Sequence, residues 1–579
     1  MWMTRSSLCR SGWRRWCWLL LAGLSLWVLP LHCFPRDFSG LPCSSSSDCA
    51  GLECKNGWCG GVQPEAPGTS DASGQETSSE RVGSPESIID TANPPEKEAR
   101  QEKPPEPRIQ PDNPPVDAPP GAVCATKGLV QSGEAAWSFT AGTDTADLNA
   151  SVRSVAVDAQ NNVFVAGTFE SKLILGSTTL TSQGFEDIFV AKFDAQGCVQ
   201  WAFAVGGAGK DSKPELWVAS NGDLVLVGRH STPSQFRPFK PTGINGLFVA
   251  RWNAKRSLLW TYFVGGMGSG GSAWLNGMAA NSSGFALTGY YTDRVSYAPG
   301  KQTNLTSGKQ VAYVLKLDAR GKFDWFSRGQ TLNEQAVSND VAMDAQGNVS
   351  VTGEYAGKFE WFGSDGLKES ATSQGLRDIF LASLDKDGKL LSLKSWGGTK
   401  DDIGQNVETY QNQVFLSAVT KGVLTFEGKA FGSDDAFQQM FVAKLSNQQA
   451  LLKHQVSNVF GGNIAAYRMD ISSGGTVYLS DGFSGRVKLG IKNLTAQGSF
   501  EPYLWTLDSN LGHVDAVSFP TTRNSSGGRL VTKVYAIATT PDNHVIIAGG
   551  FPRTMKVGSQ TLKASKQETM DLFVVKYKP

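Results

Sequence analysis

The stretch SVAVDAQNNVFVAGTFES (154–171), continued by EDIFVAKFDAQGCVQWAFAVGG (186–207), is the clearest copy of a pattern that returns along this chain. Its apolar runs are rich in β-branched and aromatic residues and are separated by short segments of Asp, Asn and Gly, so each run reads as a strand and each break as a turn. The joins DAQN (158–161) and DAQG (344–347) predict hairpin turns, because Asp accepts from its own backbone two residues on and Gly tolerates positive φ.

The register is set by one aromatic per copy: Phe189, Phe248, Tyr313, Phe380, Phe441, Tyr503 and Phe573. The runs around them, such as DIFVAKF (187–193), DIFLASL (378–384) and DLFVVKY (571–577), are nearly apolar throughout. A strand covered on both faces by stacked sheets requires that. Two strands precede each anchor, as in NDVAMD and NVSVTGEY (339–355), and one follows, as in LLWTYFVGG (258–266). Seven units of roughly 60–65 residues are too long for solenoid turns and suit four-stranded propeller blades. The last copy has no fourth run before Lys578–Pro579, while an orphan run, AAWSFTAG (135–142), precedes the first. The expected fold is all-β, a seven-bladed propeller whose N-terminal strand closes the ring and hides the edge that would otherwise invite pairing. An open array or two smaller sheets is the alternative.

The 579 residues carry a net charge of +1 with 18% charged side chains, so no footprint for nucleic acid is present. Sixty-four glycines fit many tight turns. Arg5, Arg10, Arg14 and Arg15 precede WCWLLLAGLSLWVLPL (16–31), which reads as a signal segment over 1–33, shorter than the ~20 residues a spanning helix needs. LPLHC (29–33) loosely follows a lipidation box, with His32 where a small residue is expected. Lipidation at Cys33, ordinary cleavage nearby and an uncleaved anchor all remain open. Cys43, Cys49, Cys54 and Cys59 crowd a small module over 34–61 whose spacing suits two disulfides, with zinc as the competing reading. Cys124 and Cys198 form a further candidate pair. Half of the 26 prolines lie in 62–123, which predicts an extended linker, and the propeller then occupies 124–579.

The repeats, through D-x-x-G-N-V-x-V-x-G, D-I-F-V-A-K-x-D-x-x-G and the W…GG close, resemble the SBBP family of seven-bladed β-propeller repeats in exported bacterial proteins, over about 135–579. The DC-x4-C-x4-C run at 48–59 resembles cysteine-rich pieces of myxobacterial-type surface lipoproteins. The resemblance implies a fold and an envelope or extracellular setting, and it supplies no catalytic residues.

Three sets of residues are candidate sites. GGAGKD (206–211) and WGGTKDD (396–402) approach a calcium-binding β-roll pattern, which makes Asp211, Asp401 and Asp402 calcium candidates. Those sites need consecutive short turns, however, and here the copies stand a blade apart, so a glycine-closed strand is the simpler reading. Asp385 and Asp387 raise the same question and read as a turn. Topology puts the long connections, 171–186, 356–377 and 420–439, on one face, where Trp361, Phe362 and Phe426 either contact sugar or peptide or fold back onto the blade. The five histidines, His32, His230, His454, His513 and His544, show no metal-ligand spacing, and no G-x-S-x-G or H-E-x-x-H occurs.

The expectation is a monomeric, non-catalytic, surface-tethered or secreted propeller that needs no cofactor and binds protein or glycan through its long-loop face. It would meet a membrane only through its N-terminal anchor. A propeller hydrolase or lyase, marked by carboxylates converging at the channel mouth, is the first alternative. A structural envelope component whose cysteine module does the recognising is the second.

Overall fold

The computed structural model describes residues 123–579, apart from 129–130, 144–148, 234–235, 305, 307, 434–436, 466–467, 523–530 and 566–568. It also describes the strand pair Cys54–Lys55 and Trp58–Cys59. The signal segment, most of the linker, Cys33, and the side chains of Cys43, Cys49, Cys54 and Cys59 lie outside the described residues. The chain divides into two units, Met1–Pro104 and Pro105–Pro579.

The second unit is all-β and propeller-like, with no helix among its described residues. Each repeat forms an antiparallel four-stranded sheet in chain order. In the first, Ala150–Val157, Val163–Phe169, Asp187–Phe193 and Val199–Val205 lie side by side. The same order is taken by Ala336–Met343, Val349–Tyr355, Asp378–Leu384 and Leu390–Trp396, and by the sheets that begin at Asp402–Tyr410 and Arg468–Ile471. The second and third repeats are joined into one long sheet because Leu258–Asn281 ends one and begins the next. In the last, Lys533–Thr539, Val545–Phe551 and Asp571–Lys578 are completed by Glu134–Ala141, which pairs from Glu134↔Lys578 to Ala141↔Leu572. The orphan run thus pairs where the sequence places it.

The turns follow the chemistry expected of them. Asp158 accepts from the backbone N–H groups of Gln160 and Asn162, both at 2.9 Å. Asp194, Asp318, Asp344, Asp385 and Asp508 repeat the arrangement. Asp385 therefore holds a turn, and Asp387 pairs with Lys386 at 2.8 Å.

The apolar cores lie between neighbouring sheets. Phe164, Ile188 and Val190 of the first sheet meet Leu224, Leu226 and Phe248 of the second. The fourth and fifth meet through Ile379, Leu381, Leu416 and Phe441. The last and the first share a core as well: Phe139, Ile546, Leu572 and Val574 pack with Val163, Val165 and Phe189. Such faces are apolar on both sides of every middle strand, which is why the anchor runs do not alternate. Cys124 and Cys198 form a disulfide that bridges 74 residues, fixing the leading segment to the first sheet beside Trp137.

The long connections fold as β-hairpins rather than open loops. Lys172–Leu175 with Thr178–Thr181, Lys358–Phe362 with Lys368–Thr372, and Val423–Phe426 with Lys429–Gly432 are three of them. Each hairpin reaches back to the sheet before its own. Phe359–Phe362 pairs with Arg328–Thr331, Thr425 bridges Gly397, and Leu173 bridges Thr143. Alternate residues point into these junctions, and Leu173, Leu175, Phe359, Trp361, Leu424 and Phe426 are all buried.

Candidate functional site

That burial overturns the assignment of Trp361 and Phe426 to a binding face. Both are fully buried. The Trp361 indole N–H donates to Ser327 Oγ at 2.8 Å, and Phe426 stacks on Trp396 with centroids 4.1 Å apart. Phe362 is half-buried between the Arg328 and Lys368 side chains. Period-2 alternation in a strap laid across two sheets sends these rings inward, and solvent sees the residues between them.

The carboxylates Asp211 and Asp402 are also fully buried, and each closes its own loop. Asp211 accepts from Gly207 N–H and Asp402 from Gly398 N–H, both at 2.7 Å. Each faces a second buried acid at the start of an anchor strand. Asp187 accepts from Gln183 N–H at 2.7 Å, and Asp378 from Gln374 N–H at 2.9 Å. One oxygen of every member of these two pairs has no hydrogen-bond partner. Burial, reinforced by the opposing acid, pushes Asp211 and Asp402 up to about 7, and burial with the Glu186 charge pushes Asp187 to about 6. Two desolvated carboxyls whose charges act on each other do not both ionise readily, so each pair favours holding a proton. Asp401 stands outside the pair and is held below the usual carboxylate range, chiefly by its 2.8 Å bond from Arg377 and also by Lys421 at 3.4 Å. Among the described residues no group of three or more His, Cys, Asp or Glu is arranged to hold a metal ion. His230 is buried against Phe236 and pushed down to about 4, first by burial and then by the Arg229 charge.

A cavity of about 740 Å³ opens where the innermost strands begin, on the side of the long connections. It is built by an irregularity that recurs at one position of the inner strand. Val152 pairs with Gly167 and Ser154 with Ala166, which leaves Arg153 as a bulge. The same skip leaves Asn276, Asn339, Gln405 and Tyr535 unpaired in their strands. In the second sheet the skip takes in two residues, Lys213 and Pro214, and Lys213 sits at φ +56°, a left-handed conformation that a non-glycine residue adopts at a cost. A bulge bends its strand and re-aims the extra residue. All of these bulged residues line the cavity.

The bulges also tie the sheets together. Asn276 donates from Nδ2 to Ser338 O at 3.0 Å, and Asn339 to Gly404 O at 2.9 Å, each reaching the next inner strand. The Arg468 guanidinium donates to Tyr535 O and, at 3.5 Å, to Arg153 O, and lies 3.6 Å from Glu215 Oε1. Arg153 in turn lies over the Tyr535 ring at 3.9 Å. Enclosure, then the guanidinium charges of Arg468 and Arg153, lowers the Lys213 ammonium below its ordinary value. Below the mouth, further along the inner strands, come Asp340, Glu408 and Asp470. Asp340 accepts from Val407 N–H at 3.0 Å, and Asp470 from Thr539 N–H at 2.5 Å. Burial raises all three, Asp340 to about 7; Glu408 is raised further by the charges of the other two. The site is therefore cationic at its rim and a set of desolvated carboxyls beneath.

None of these cavity residues stood out in the sequence. Within one copy the bulge is a single polar or aromatic residue in an apolar strand. Set side by side, five of the copies show Arg, Asn, Asn, Gln and Tyr in the same column, none of them aliphatic.

No family profile matches the chain, and no curated protein matches it. Among solved structures, the selenomethionine-substituted virginiamycin B lyase from Staphylococcus aureus aligns at 7% identity and TM-score 0.35, covering 75% of this chain and 97% of that one. A PL25 ulvan lyase bound to a disaccharide repeat aligns at 11% and 0.36, covering 75% and 97%. A Synechocystis apocarotenoid oxygenase mutant aligns at 9% and 0.33, covering 77% and 95%. These likenesses are too distant to carry an argument about what this chain does, and the residues of the mouth stand on their own.

Proposed function

We propose that this chain is an exported, surface-tethered, monomeric propeller of seven blades closed by strand exchange, and that it binds protein or glycan at the channel mouth on its long-connection face without transforming it. Support for the ring comes from the pairing of Glu134–Ala141 with Asp571–Lys578 and from the core shared by the last and first sheets. The leader, the lipidation box and the Pro-rich segment support export and tethering, and the resemblance to exported SBBP repeats agrees with both.

The observation that carries the binding reading is the cavity itself. Its 740 Å³ lies within the range of small-ligand sites, and its polar side chains converge from bulges on different sheets. The test is a glycan and peptide array probed with the purified full chain. Retention on a restricted set of spots, lost when Gln405 at the mouth is changed to Trp, is the expected result. A blank array, or retention indifferent to Gln405→Trp, defeats the proposal.

A second reading, a hydrolase or lyase, is favoured by one observation: Asp340, held near 7, is coupled to Glu215 of the mouth and to Glu408, which is coupled in turn to Asp470. A carboxyl poised near neutrality suits general acid or base work. Incubation of the retained glycan with the chain separates the two readings. An unchanged chain length keeps the site a binding site, and shortening that Asp340→Asn abolishes makes it an enzyme.

A further inference from the structure

We infer that the mouth selects a saccharide bearing carboxylate or sulfate groups. This rests on the reading of the mouth as a binding site and names the ligand chemistry it takes.

The charge is the first argument. Arg153, Lys213, Arg468 and Lys533 line the cavity against two acids, Glu215 and Asp481, in a chain whose net charge is only +1. Four cations converging on one cavity are therefore a local concentration, and a concave wall of low dielectric strengthens their field. The four are not equivalent. Arg468 is tied to two backbone carbonyls and Glu215, and Arg153 is stacked on Tyr535, so both are fixed in place. Lys533 is exposed, and Lys213 reaches solvent within the enclosing mouth, where the Glu215 charge partly offsets the two guanidinium groups; neither lysine forms an ion pair among the described residues. They are the groups positioned to meet an incoming anion. Holding Lys213 in a left-handed conformation beside two guanidinium groups is unfavourable for the protein alone, and a bound anion relieves the like-charge part of that cost.

The remaining surface separates saccharide from peptide. The amide-bearing residues Asn276, Asn339, Gln405 and Gln438 ring the cavity, and three of them are held by hydrogen bonds to backbone carbonyls. Fixed amides match the paired donors and acceptors of sugar hydroxyls. Phe500 is half-buried at the rim, where a ring face can meet the apolar side of a sugar. A peptide would instead draw on an open sheet edge or apolar pockets for its side chains. The inner strands are the end strands of their sheets, but the bulges at the mouth kink that edge away from regular pairing, and the apolar members of the wall, Ile464, Ala465 and Val534, are buried.

The experiment titrates the full chain against polygalacturonate, chondroitin sulfate, dextran and poly-glutamate by interferometry at low and moderate salt. At least one acidic saccharide is expected to bind, with dextran and poly-glutamate weaker by about tenfold or more and with affinity falling as salt rises. Lys213→Asn with Lys533→Gln is expected to weaken that binding about tenfold at an unchanged melting temperature, since Asn tolerates the left-handed backbone at 213. Dextran binding as tight as the acidic saccharides overturns the anion assignment while leaving the mouth a saccharide site. Poly-glutamate binding tightest overturns the saccharide class. Full affinity in the lysine double variant places the anion elsewhere and overturns the inference. Silence toward all four probes overturns it too, and together with a blank array removes the binding reading as well.

Discussion

Two regions of the repeat behave in opposite ways. At the junctions between sheets four of the seven copies carry the same chemistry. Asp187 and Asp378 open their anchor strands and cap the preceding hairpin, and Glu501 and Asp571 do the same at 2.8 Å and 2.5 Å. At the inner-strand bulge the copies share a backbone and differ in side chain, from Arg153 to Asn276 to Tyr535. The fold caps the returning hairpin with a buried acid in these four copies, while Gly246, Val311 and Gln439 stand at that register in the other three. It needs only a skipped pairing at the bulge, so the side chain there is left to serve the cavity. Sameness among the repeats marks architecture here, and divergence at a fixed backbone feature marks the working surface.

Substitutions should separate the two regions by the size of their effects. The largest loss is expected from Trp361→Ala in a junction strap, about 4 kcal/mol, because it empties a fully buried site and removes the indole N–H that donates to Ser327 Oγ; urea unfolding measures it. Gly397→Ala comes next at about 3 kcal/mol, since its Cβ would fall 2.1 Å from Asp378 Cγ; a melting temperature equal to wild type would show that the junction is not rigid. Asp211→Ala removes the acceptor for Gly207 N–H and is expected to cost about 2 kcal/mol.

The carboxyl pairs also predict a pH dependence. Asp211 and Asp402 have ordinary values of 3.8 and are raised to about 7 in the folded chain, so between those values the folded state holds more protons than the unfolded state. Their contribution to stability is full below about pH 4 and is lost as pH rises through about 7, with a slope of at most about 1.4 kcal/mol per pH unit for each pair. Lys210 with Glu186, and Arg229, face the first pair; Arg377, Asp401, Lys421 and Tyr355 surround the second. The difference between wild type and Asp211→Asn with Asp402→Asn, followed from pH 4 to 8, isolates the pairs from these neighbours. A flat difference would show that the pairs hold no such proton. The smallest effect belongs to the mouth: Lys533→Gln is expected to change stability by less than about 0.5 kcal/mol, because this exposed lysine has no ion-pair partner among the described residues.

Much of this molecule was legible in its residues. The strand order, the Asp-led turns, the Cys124–Cys198 pairing and the use of 135–142 to complete the last sheet all follow from local signals. The cavity opens on the side of the long connections. The particular residues were not legible. Trp361 and Phe426 lie in long polar connections, and nothing local indicates that these connections fold as straps across a neighbouring sheet. Asp211 and Asp402 sit in glycine-rich loops whose pattern points to cation binding, while their partners Asp187 and Asp378 stand about two dozen residues away in sequence.

What the sequence determined by itself is the repeating strand, because period, turn chemistry and apolar content act within a few residues and need no partner. The tertiary structure alone decided which side chains meet. The cavity is drawn from bulges on different sheets, and the coupled carboxyl pairs from a strand start and the loop beyond the following strand. Whether a polar residue there becomes a cap, a strap or a rim depends on how neighbouring sheets are set against one another and on the desolvation that this packing imposes, neither of which is written in any one copy.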